Sequence, residues 1–224
     1  MKHRSIAIDG PAGAGKSTMA KRLAQALGFV YVDTGAIYRT VGYHMDLMGI
    51  GPKDVDGITR LIGDVNLEIT YDETGLQHMI LNGADVTDEI RTPEMSMIAS
   101  TISAHKVVRD FLLDTQRDLA KNYDVVMDGR DIGTVVLPNA DLKIYLTAAP
   151  EIRAQRRIDQ HRAAGQKVDE KKILAEIIQR DAQDMSRPIA PLRRAEDAVL
   201  VDTSYLNVEQ TIARLLEIAA QRLG

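Results

Sequence analysis

A glycine-rich stretch near the start of the chain places the strongest restriction on its fold. Residues 10–18 read GPAGAGKST and directly follow the mostly apolar run SIAID. The stretch fits the pattern G-x-x-x-x-G-K-[ST], whose fixed positions are Gly10, Gly15, Lys16 and Ser17. Glycines let backbone N–H groups turn inward, and a following helix directs its positive dipole end at the same place. The sequence therefore predicts a strand, an anion-binding loop and a helix in succession.

The same loop supplies the groups that would hold a nucleotide. Lys16 would reach the β and γ phosphates, and the Ser17 hydroxyl would bind Mg²⁺. The candidate nucleotide-binding residues are Gly10, Pro11, Ala12, Gly13, Ala14, Gly15, Lys16, Ser17 and Thr18. Kinases, ATPases and GTPases all use such a loop, but the chain has no N-K-x-D guanine motif, which counts against a GTPase.

The remainder of the chain alternates short apolar runs with helical patterns. Apolar runs that end in a polar residue recur at 29–33, 125–128, 143–147 and 198–202. Continuous apolar runs are typical of strands covered on both faces, as in a parallel sheet. Helical patterns occupy the intervals. The pattern over 36–48 has Met48 on its apolar side, and the last pattern opens with Asn207 and Gln210 spaced as a capping box and is expected to bury Val208. We predict an α/β fold with a doubly wound, five-stranded parallel sheet.

Residues 60–92 interrupt this alternation. VNLEITY alternates apolar and polar residues with period two, and MILNGADV contains an Asn-Gly pair of the kind that forms hairpin turns. Such one-sided alternation is typical of antiparallel strands that cover a neighbouring surface. The segment is therefore predicted to be a small antiparallel β insertion between core strands.

Composition restricts the partners that the chain could have. The formal net charge of −4 gives no broad basic surface for nucleic acids or anionic membranes, so an anion site must be local. The chain has no cysteine, which excludes disulfides and thiolate chemistry and fits a reducing compartment. No segment approaches the ~20 apolar residues of a membrane span. We expect a cytoplasmic protein without a nucleic-acid or membrane partner.

Charged side chains downstream indicate a second phosphate site. Asp128 and Arg130 follow a predicted core strand, at the carboxyl edge where open α/β sheets bind ligands. Asp128 is placed to hold the water shell of a metal ion, so Ser17 and Asp128 are the candidate metal ligands. Helical spacing groups further charges on two faces, one with Arg153, Arg156 and Arg157 and the other with Arg180, Asp184 and Arg187.

These arginines suit the transfer of a phosphoryl group between two polyanions. A mobile arginine-bearing segment could close over both and exclude water, and residues 153–169, with Gly165 as a hinge, fit that description. The sequence offers no evident general base, and a phosphate acceptor would not need one because it is already ionised. This combination favours a nucleoside monophosphate as acceptor over a sugar or shikimate hydroxyl.

Five stretches together resemble the bacterial-type cytidylate kinases: IDGPAGAGKST, VDTGAIYRT, EIRTPE, DGRDIGTVV and RDAQDMSRPIAPL. The resemblance covers essentially the whole chain, including the β insertion. It implies a single P-loop kinase domain over residues 1–224, with an insertion at 60–92 that binds the monophosphate and a lid at 153–169. It also implies transfer of the γ-phosphoryl group of ATP to CMP or dCMP, with Mg²⁺, and we expect a monomer.

The resemblance also implies roles for residues in the matching motifs. Arg39, Arg130 and Arg187 would hold the CMP phosphate. Ser100, Arg109 and Asp131 would bind the cytosine, and a carboxylate there would accept from its amino group but oppose the carbonyl of uracil. The other implied positions are Arg180 and Asp184 at the ribose, Thr34 beside the substrate, and Arg153 and Arg157 at the transferring phosphoryl group. Thr34 stands where close relatives often have serine, and Ser17 where many have threonine, so each position keeps a hydroxyl.

Two alternatives stay open from the sequence. The enzyme could phosphorylate UMP, AMP or a small hydroxylated metabolite instead of CMP. From a different class, a non-catalytic nucleotide-binding switch would also carry the loop of residues 10–18. The acceptor that supports turnover separates these alternatives.

Overall fold

A parallel sheet lies at the centre of the protein, in a computed structural model that describes residues 3–163, 165 and 168–224. Numbered along the chain, the strands are β1 (Ser5–Asp9), β2 (Val30–Asp33), β3 (Leu67–Tyr71), β4 (Gln77–Leu81), β5 (Ala84–Asp85), β6 (Val125–Gly129), β7 (Leu142–Thr147) and β8 (Val199–Asp202). Five of them form the parallel sheet, in the order β2-β6-β1-β7-β8. The predicted five-stranded α/β architecture is confirmed.

Helices cover both faces of this sheet. They are α1 (Lys16–Leu27), α2 (Thr34–Leu47), α3 (Val55–Leu61), α4 (Pro93–Ile102), α5 (Lys106–Asn122), α6 (Pro150–Ala163), α7 (Glu170–Ser186) and α8 (Val208–Leu223). Ile6 and Ile8 of β1 pack on the side of α1 and α8, whereas Ala7 packs on the side of α2 and α5. Burial on both faces explains why the core strands read as nearly continuous apolar runs.

The segment between α3 and α4 forms a separate antiparallel sheet in the order β3-β4-β5. Asn82 and Gly83 connect β4 to β5 with φ values of 50° and 86°, as the Asn-Gly pair predicts. Met79 and Leu81 face inward and belong to the same apolar cluster as α2 and α5. The predicted small antiparallel β insertion is therefore present, and its inner face covers the α2 side of the core.

Helices α6 and α7 pack against each other around a small apolar cluster of their own, formed by Ala154, Ile158, Ile173 and Ile177. The predicted lid, residues 153–169, spans most of α6 and the connection to α7. Of that range, residues 164, 166 and 167 lie outside the described part of the chain. Gly165 is exposed and has a φ of 73°, a left-handed conformation that glycine adopts without steric cost.

The structure corrects details at helix ends. Helix α2 begins at Thr34 rather than Ala36, because the Asp33 carboxylate accepts a hydrogen bond from the Ala36 N–H and caps the helix. Met48 follows the last residue of α2 and is exposed, and Val208 begins α8 and is also exposed, so their predicted burial was wrong. Within the described ranges, no helix has the length and apolar content required to cross a membrane.

Candidate active site

A cleft of about 1030 Å³ opens at the carboxyl ends of β1, β2 and β6. Every predicted site residue lines it except Gly10 and Pro11. Gly10 packs behind the cleft, where a Cβ would lie 1.9 Å from the Leu146 carbonyl oxygen. The lining residues come from the glycine-rich loop and from α2, α4, α5, α6 and α7. The fold therefore brings together residues that are far apart in the sequence.

The glycine-rich loop joins β1 to α1. Gly13 and Gly15 have φ values of 75° and 88°, and Gly15 stands at the N-cap of α1 without a side chain to cap it. The N-terminal N–H groups of α1 are therefore open to a ligand. Lys16 is buried and its Nζ donates to the Pro11 carbonyl at 2.9 Å, which holds the ammonium group at the loop. Burial lowers the pKa of Lys16, and the nearby positive charge of Arg130 lowers it further.

Oxygen atoms suited to a magnesium ion lie beside this loop. The Ser17 hydroxyl donates to Asp128 Oδ2 at 2.9 Å, and the Tyr31 hydroxyl donates to Asp128 Oδ1 at 2.9 Å. Burial raises the pKa of Asp128, and the negative charge of Asp33 raises it further. Mg²⁺ usually takes one or two carboxylates together with substrate phosphates and water, so this pair of oxygen ligands fits it. In the part of the chain that the structure describes, no group of three or more His, Asp or Glu side chains could hold a metal.

Arginine and aspartate side chains fill the rest of the cleft. We call them the arginine–aspartate cluster, and its members are Arg39, Arg109, Arg130, Asp131, Arg180, Asp184 and Arg187. Arg130 Nε pairs with Asp184 Oδ2 at 2.9 Å. Arg39 pairs with Asp33 at 3.1 Å. These two guanidinium groups are thereby held at the cleft by carboxylates.

Asp131 is the most enclosed carboxylate of the cluster. It is buried, contacts Arg109 through Oδ2, and lies 3.3 Å from Arg187 through Oδ1. Burial raises the pKa of Asp131, while the two guanidinium groups oppose that shift and favour the ionised form. Arg109 and Arg187 are fixed in turn, since Arg109 donates to the Ser103 carbonyl and Arg187 to the Ala190 carbonyl. The structure thus presents one charged acceptor in a largely dehydrated position.

The cluster has more guanidinium groups than carboxylates to pair with them. The buried Nε atoms of Arg39 and Arg180 have no hydrogen-bond partner among the described residues. Burial lowers the pKa of Arg180 to about 10, and the charges of Arg130, Arg157 and Arg39 also act on it. Neighbouring cations with unpaired donors are costly in a buried site unless an anion joins them. Their arrangement indicates a binding place for phosphate.

Arg153 differs from the arginines of the cluster. Its guanidinium group donates to the carbonyls of Ala148 at 2.8 Å and Ala12 at 2.9 Å, and it pairs with Asp181 at 2.7 Å. These contacts join the glycine-rich loop to α6 and α7. The predicted contact between Arg153 and the transferring phosphoryl group stays a prediction, and the observed partners indicate a positioning role. Arg157, Ser100 and Thr34 line the cleft, and the Thr34 hydroxyl donates to the Asp128 carbonyl at 2.7 Å.

Asp9 is a residue that the sequence analysis did not assign to the site. Its carboxylate accepts from the N–H groups of Ile132 at 2.8 Å and Gly133 at 2.7 Å, directly after Asp131. Burial raises the pKa of Asp9 to about 6, although both backbone hydrogen bonds lower it. Its position as the acidic end of an apolar strand was a usable signal, because polar strand ends of a parallel sheet meet at the ligand-binding edge.

Gln77 was also missed. This buried side chain of β4 accepts from the Asp33 N–H at 2.8 Å and donates to the Asp33 carbonyl at 3.3 Å, so it pairs with the edge of β2 as an additional strand would. It thereby fixes the residue whose carboxylate holds Arg39. The signal in the sequence is a polar residue at an inward position of a strand that otherwise alternates normally.

A glycine-rich loop between the first strand and helix of a parallel sheet, beside a cleft lined by buried arginines, defines a P-loop phosphotransferase. Comparison with known proteins narrows this class. The sequence profile of the cytidylate kinase family matches residues 6–221. The chain belongs to this family, and it is an enzyme of the nucleoside monophosphate kinase class.

Individual relatives are similar in sequence to this chain along its full length. It is similar to a cytidylate kinase of Caldicellulosiruptor saccharolyticus, with 47% identity over 100% of this chain and 99% of the relative. A cytidylate kinase of Geobacillus kaustophilus is also 47% identical, over 100% of both chains. Among solved structures, an uncharacterized protein from Eubacterium ventriosum aligns with a TM-score of 0.55 at 12% identity, over 98% of this chain and 100% of the other. That last similarity concerns the fold alone.

Proposed function

We propose that this protein transfers the γ-phosphoryl group of ATP to CMP or dCMP and releases ADP with CDP or dCDP. The observation that carries the proposal is the buried Asp131 carboxylate between Arg109 and Arg187, in the same cleft as the glycine-rich loop. One region can hold a triphosphate through backbone donors, and the other can hold a smaller anion together with a base that carries an amino group. The family membership supports the same pair of substrates.

The glycine-rich loop would bind the donor. Backbone N–H groups of residues 10–18 and the start of α1 would contact the β and γ phosphates of ATP, and Lys16 would neutralise charge between them. Ser17 and Asp128 would hold Mg²⁺, which when bound neutralises negative charge on the phosphates. These groups require little rearrangement, because the loop already has the left-handed glycines that open its backbone.

The arginine–aspartate cluster would bind the acceptor. Arg39, Arg130 and Arg187 would contact the phosphate of CMP, while Arg180 and Asp184 would bind the sugar. Each of the three phosphate-binding arginines now contacts a carboxylate, so CMP must exchange part of those contacts for its own. The cost is small where the phosphate accepts the same guanidinium donors with better charge complementarity.

Asp131 would select the base, together with Ser100 and Arg109. Its carboxylate accepts a hydrogen bond from the exocyclic amino group of cytosine, whereas uracil would place a carbonyl oxygen against it. Two opposed acceptors in a dehydrated site cost far more than the loss of one hydrogen bond. UMP is therefore expected to be a poor acceptor.

The reaction requires positioning more than acid–base chemistry. A phosphate oxygen of CMP attacks the γ-phosphorus of ATP, the new P–O bond forms as the bond to the bridging oxygen breaks, and ADP leaves with that oxygen. The attacking oxygen is already ionised, so no side chain has to remove a proton. We infer that the predicted lid, residues 153–169, closes over the cleft and brings Arg157 to the transferring group.

The insertion at 60–92 would carry the wall of the monophosphate site, because Gln77 connects it to Asp33 and hence to Arg39. A cytoplasmic location and a monomeric state stay predictions from the sequence.

An acceptor panel tests the proposal. ADP release would be measured with CMP, dCMP, UMP, AMP and shikimate at fixed ATP and Mg²⁺. The expected order is CMP or dCMP first, with UMP at least ~10²-fold lower in kcat/KM. Equal rates with UMP would contradict the role of Asp131, and ATP turnover that ignores every acceptor would favour a nucleotide-binding switch.

A further inference from the structure

Gln116 of α5 is a buried polar residue that the proposed roles do not use. It lines the cleft although only 1% of it is exposed, and its Nε2 has no hydrogen-bond partner among the residues that the structure describes. Buried side-chain donors are nearly always paired in folded proteins, so an unpaired one that borders a ligand cleft requires a reason. A direct explanation is that a ligand atom accepts a hydrogen bond from this N–H group.

The surroundings of Gln116 are those of the proposed base site. It lies two helical turns after Arg109 on the buried stripe of α5. Its amide and the charges of Arg109, Asp131 and Arg187 all act on the pKa of the Tyr38 phenol, although Nε2 makes no hydrogen bond of ordinary geometry there. The Arg109 guanidinium carbon lies 5.7 Å from the centre of the Tyr38 ring. Gln116 and Asp131, whose carboxylate would accept from the cytosine amino group, therefore both lie near the Tyr38 side chain.

The hydrogen-bonding groups of cytosine fit this arrangement of side chains. A cytosine presents one donor group, its exocyclic amine, and two acceptors, N3 and O2. Asp131 can satisfy the amine but can donate nothing to the two acceptors while it is ionised, and Arg109 already donates to Asp131 and to the Ser103 carbonyl. The Gln116 Nε2 supplies an uncharged donor, and Ile132 and Val136 line the same cleft as apolar surface for a flat ring.

We propose that Gln116 is a specificity-determining residue whose Nε2 donates a hydrogen bond to an acceptor atom of the pyrimidine ring. The inference rests on the proposed function, because it requires the pyrimidine ring of CMP to occupy this part of the cleft. It adds an uncharged amide donor to the carboxylate of Asp131 and the guanidinium group of Arg109. Both contacts form only when the nucleotide is bound, so Gln116 contributes to acceptor binding and not to the binding of ATP.

Substitution at this position separates binding from folding. Gln116→Met keeps the length of the side chain and removes both polar atoms, while Gln116→Glu keeps the shape and replaces the donor with an acceptor. We expect Gln116→Met to raise the KM for CMP about 10-fold with kcat within about 2-fold of wild type, and Gln116→Glu to raise KM about 100-fold. The KM for ATP and the melting temperature of Gln116→Met should match those of Gln25→Met, an exposed glutamine on α1. A KM for CMP that stays at the wild-type value in the folded Gln116→Met protein would overturn the inference.

A second measurement covers the case in which Gln116→Met does not fold. The side-chain amide resonances of ¹⁵N-glutamine-labelled wild-type protein would be followed as CMP is added, with Gln116 assigned through the Gln116→Glu spectrum. A shift of the Gln116 resonance at the same CMP concentration that saturates the enzyme is expected, and an unchanged resonance would contradict the contact. These outcomes are distinct from failure of the proposed function, which would appear as a wild-type enzyme that does not phosphorylate CMP.

Discussion

The two regions of the cleft prepare for an anion in different ways. The glycine-rich loop offers backbone N–H groups and one buried lysine from a run of nine residues, 10–18. The arginine–aspartate cluster uses side chains from four segments of the chain, and carboxylates already hold most of its guanidinium groups. The loop is ready for phosphate without rearrangement, whereas the cluster must exchange internal ion pairs for contacts with its ligand.

This difference has a consequence for selectivity. Backbone N–H groups can donate to any phosphate of suitable geometry, so the loop is expected to discriminate little between nucleotides. Ion pairs that must open make binding conditional on a ligand that replaces every lost contact. We therefore propose that the cluster confers the specificity, and we expect substitutions in the two regions to affect different kinetic constants.

The largest effect is expected from Lys16→Ala. The ammonium group is buried at the loop and would stabilise charge on the transferring phosphates, so kcat should fall about 10³-fold. The affinity for CMP, measured by calorimetry in the absence of ATP, should stay close to wild type. A near-normal kcat would contradict the assignment of the donor to the loop.

Asp131→Ala should have the next largest effect, and on the acceptor instead. It removes the proposed partner of the cytosine amine and leaves Arg109 and Arg187 without their shared carboxylate, so the KM for CMP should rise about 100-fold. The ratio of kcat/KM for CMP to that for UMP should fall toward 1, because the acceptor that opposes uracil is gone. Steady-state kinetics with both nucleotides measure this ratio, and unchanged selectivity would remove Asp131 from base recognition. Asp197→Ala, at an exposed carboxylate that pairs with Lys143, serves as the control.

Gln77→Leu tests the connection from the insertion to the cluster with a smaller change. Loss of the two hydrogen bonds to the Asp33 backbone should loosen the carboxylate that holds Arg39 and raise the KM for CMP about 5-fold. The KM for ATP should not change. His78→Ala, at the neighbouring position of β4, is the matched control. Equal KM values for CMP in Gln77→Leu and wild type would show that the insertion does not position the cluster.

Asp9→Asn gives the smallest effect, visible as a pH dependence of stability. Burial raises the pKa of Asp9 from 3.8 to about 6, so the folded protein binds more protons than the unfolded chain in that interval. The stability contributed by Asp9 is fully present below pH 3.8 and declines as the pH rises through about 6. The urea midpoint of wild type, relative to that of Asp9→Asn, should therefore decrease from pH 4 to pH 7. A difference that is constant with pH would show that Asp9 keeps its ordinary pKa.

Most of the fold could be predicted from the sequence, because its elements depend on local patterns. The core strands appear as apolar runs with polar ends, and observed and predicted bounds differ by about one residue. The Asn-Gly turn and the capping box of α8 depend on residues a few positions apart, and both are present. Met48 and Val208 were misplaced because periodicity cannot show where a helix leaves the core.

Less of the candidate site than of the fold could be predicted from the sequence. The glycine-rich loop is a contiguous motif, but the pair of Arg130 and Asp184 joins residues 54 positions apart. Resemblance to a family suggested which residues share the cleft, but not which carboxylate holds which guanidinium group. Asp9 and Gln77 make backbone contacts, and Gln116 has an unpaired atom, that only the folded arrangement defines.

We propose that two nucleotides bind with their phosphates facing each other, one on the backbone of the loop and the other on arginines that exchange their carboxylate partners for it. The most direct test is a crystal structure with CMP and a non-hydrolysable ATP analogue. We predict that the triphosphate lies on residues 10–18 and that Arg39 and Arg130 contact the CMP phosphate, with the cytosine amine on Asp131. A structure in which these two arginines remain paired only with Asp33 and Asp184, while CMP binds elsewhere, would contradict the account.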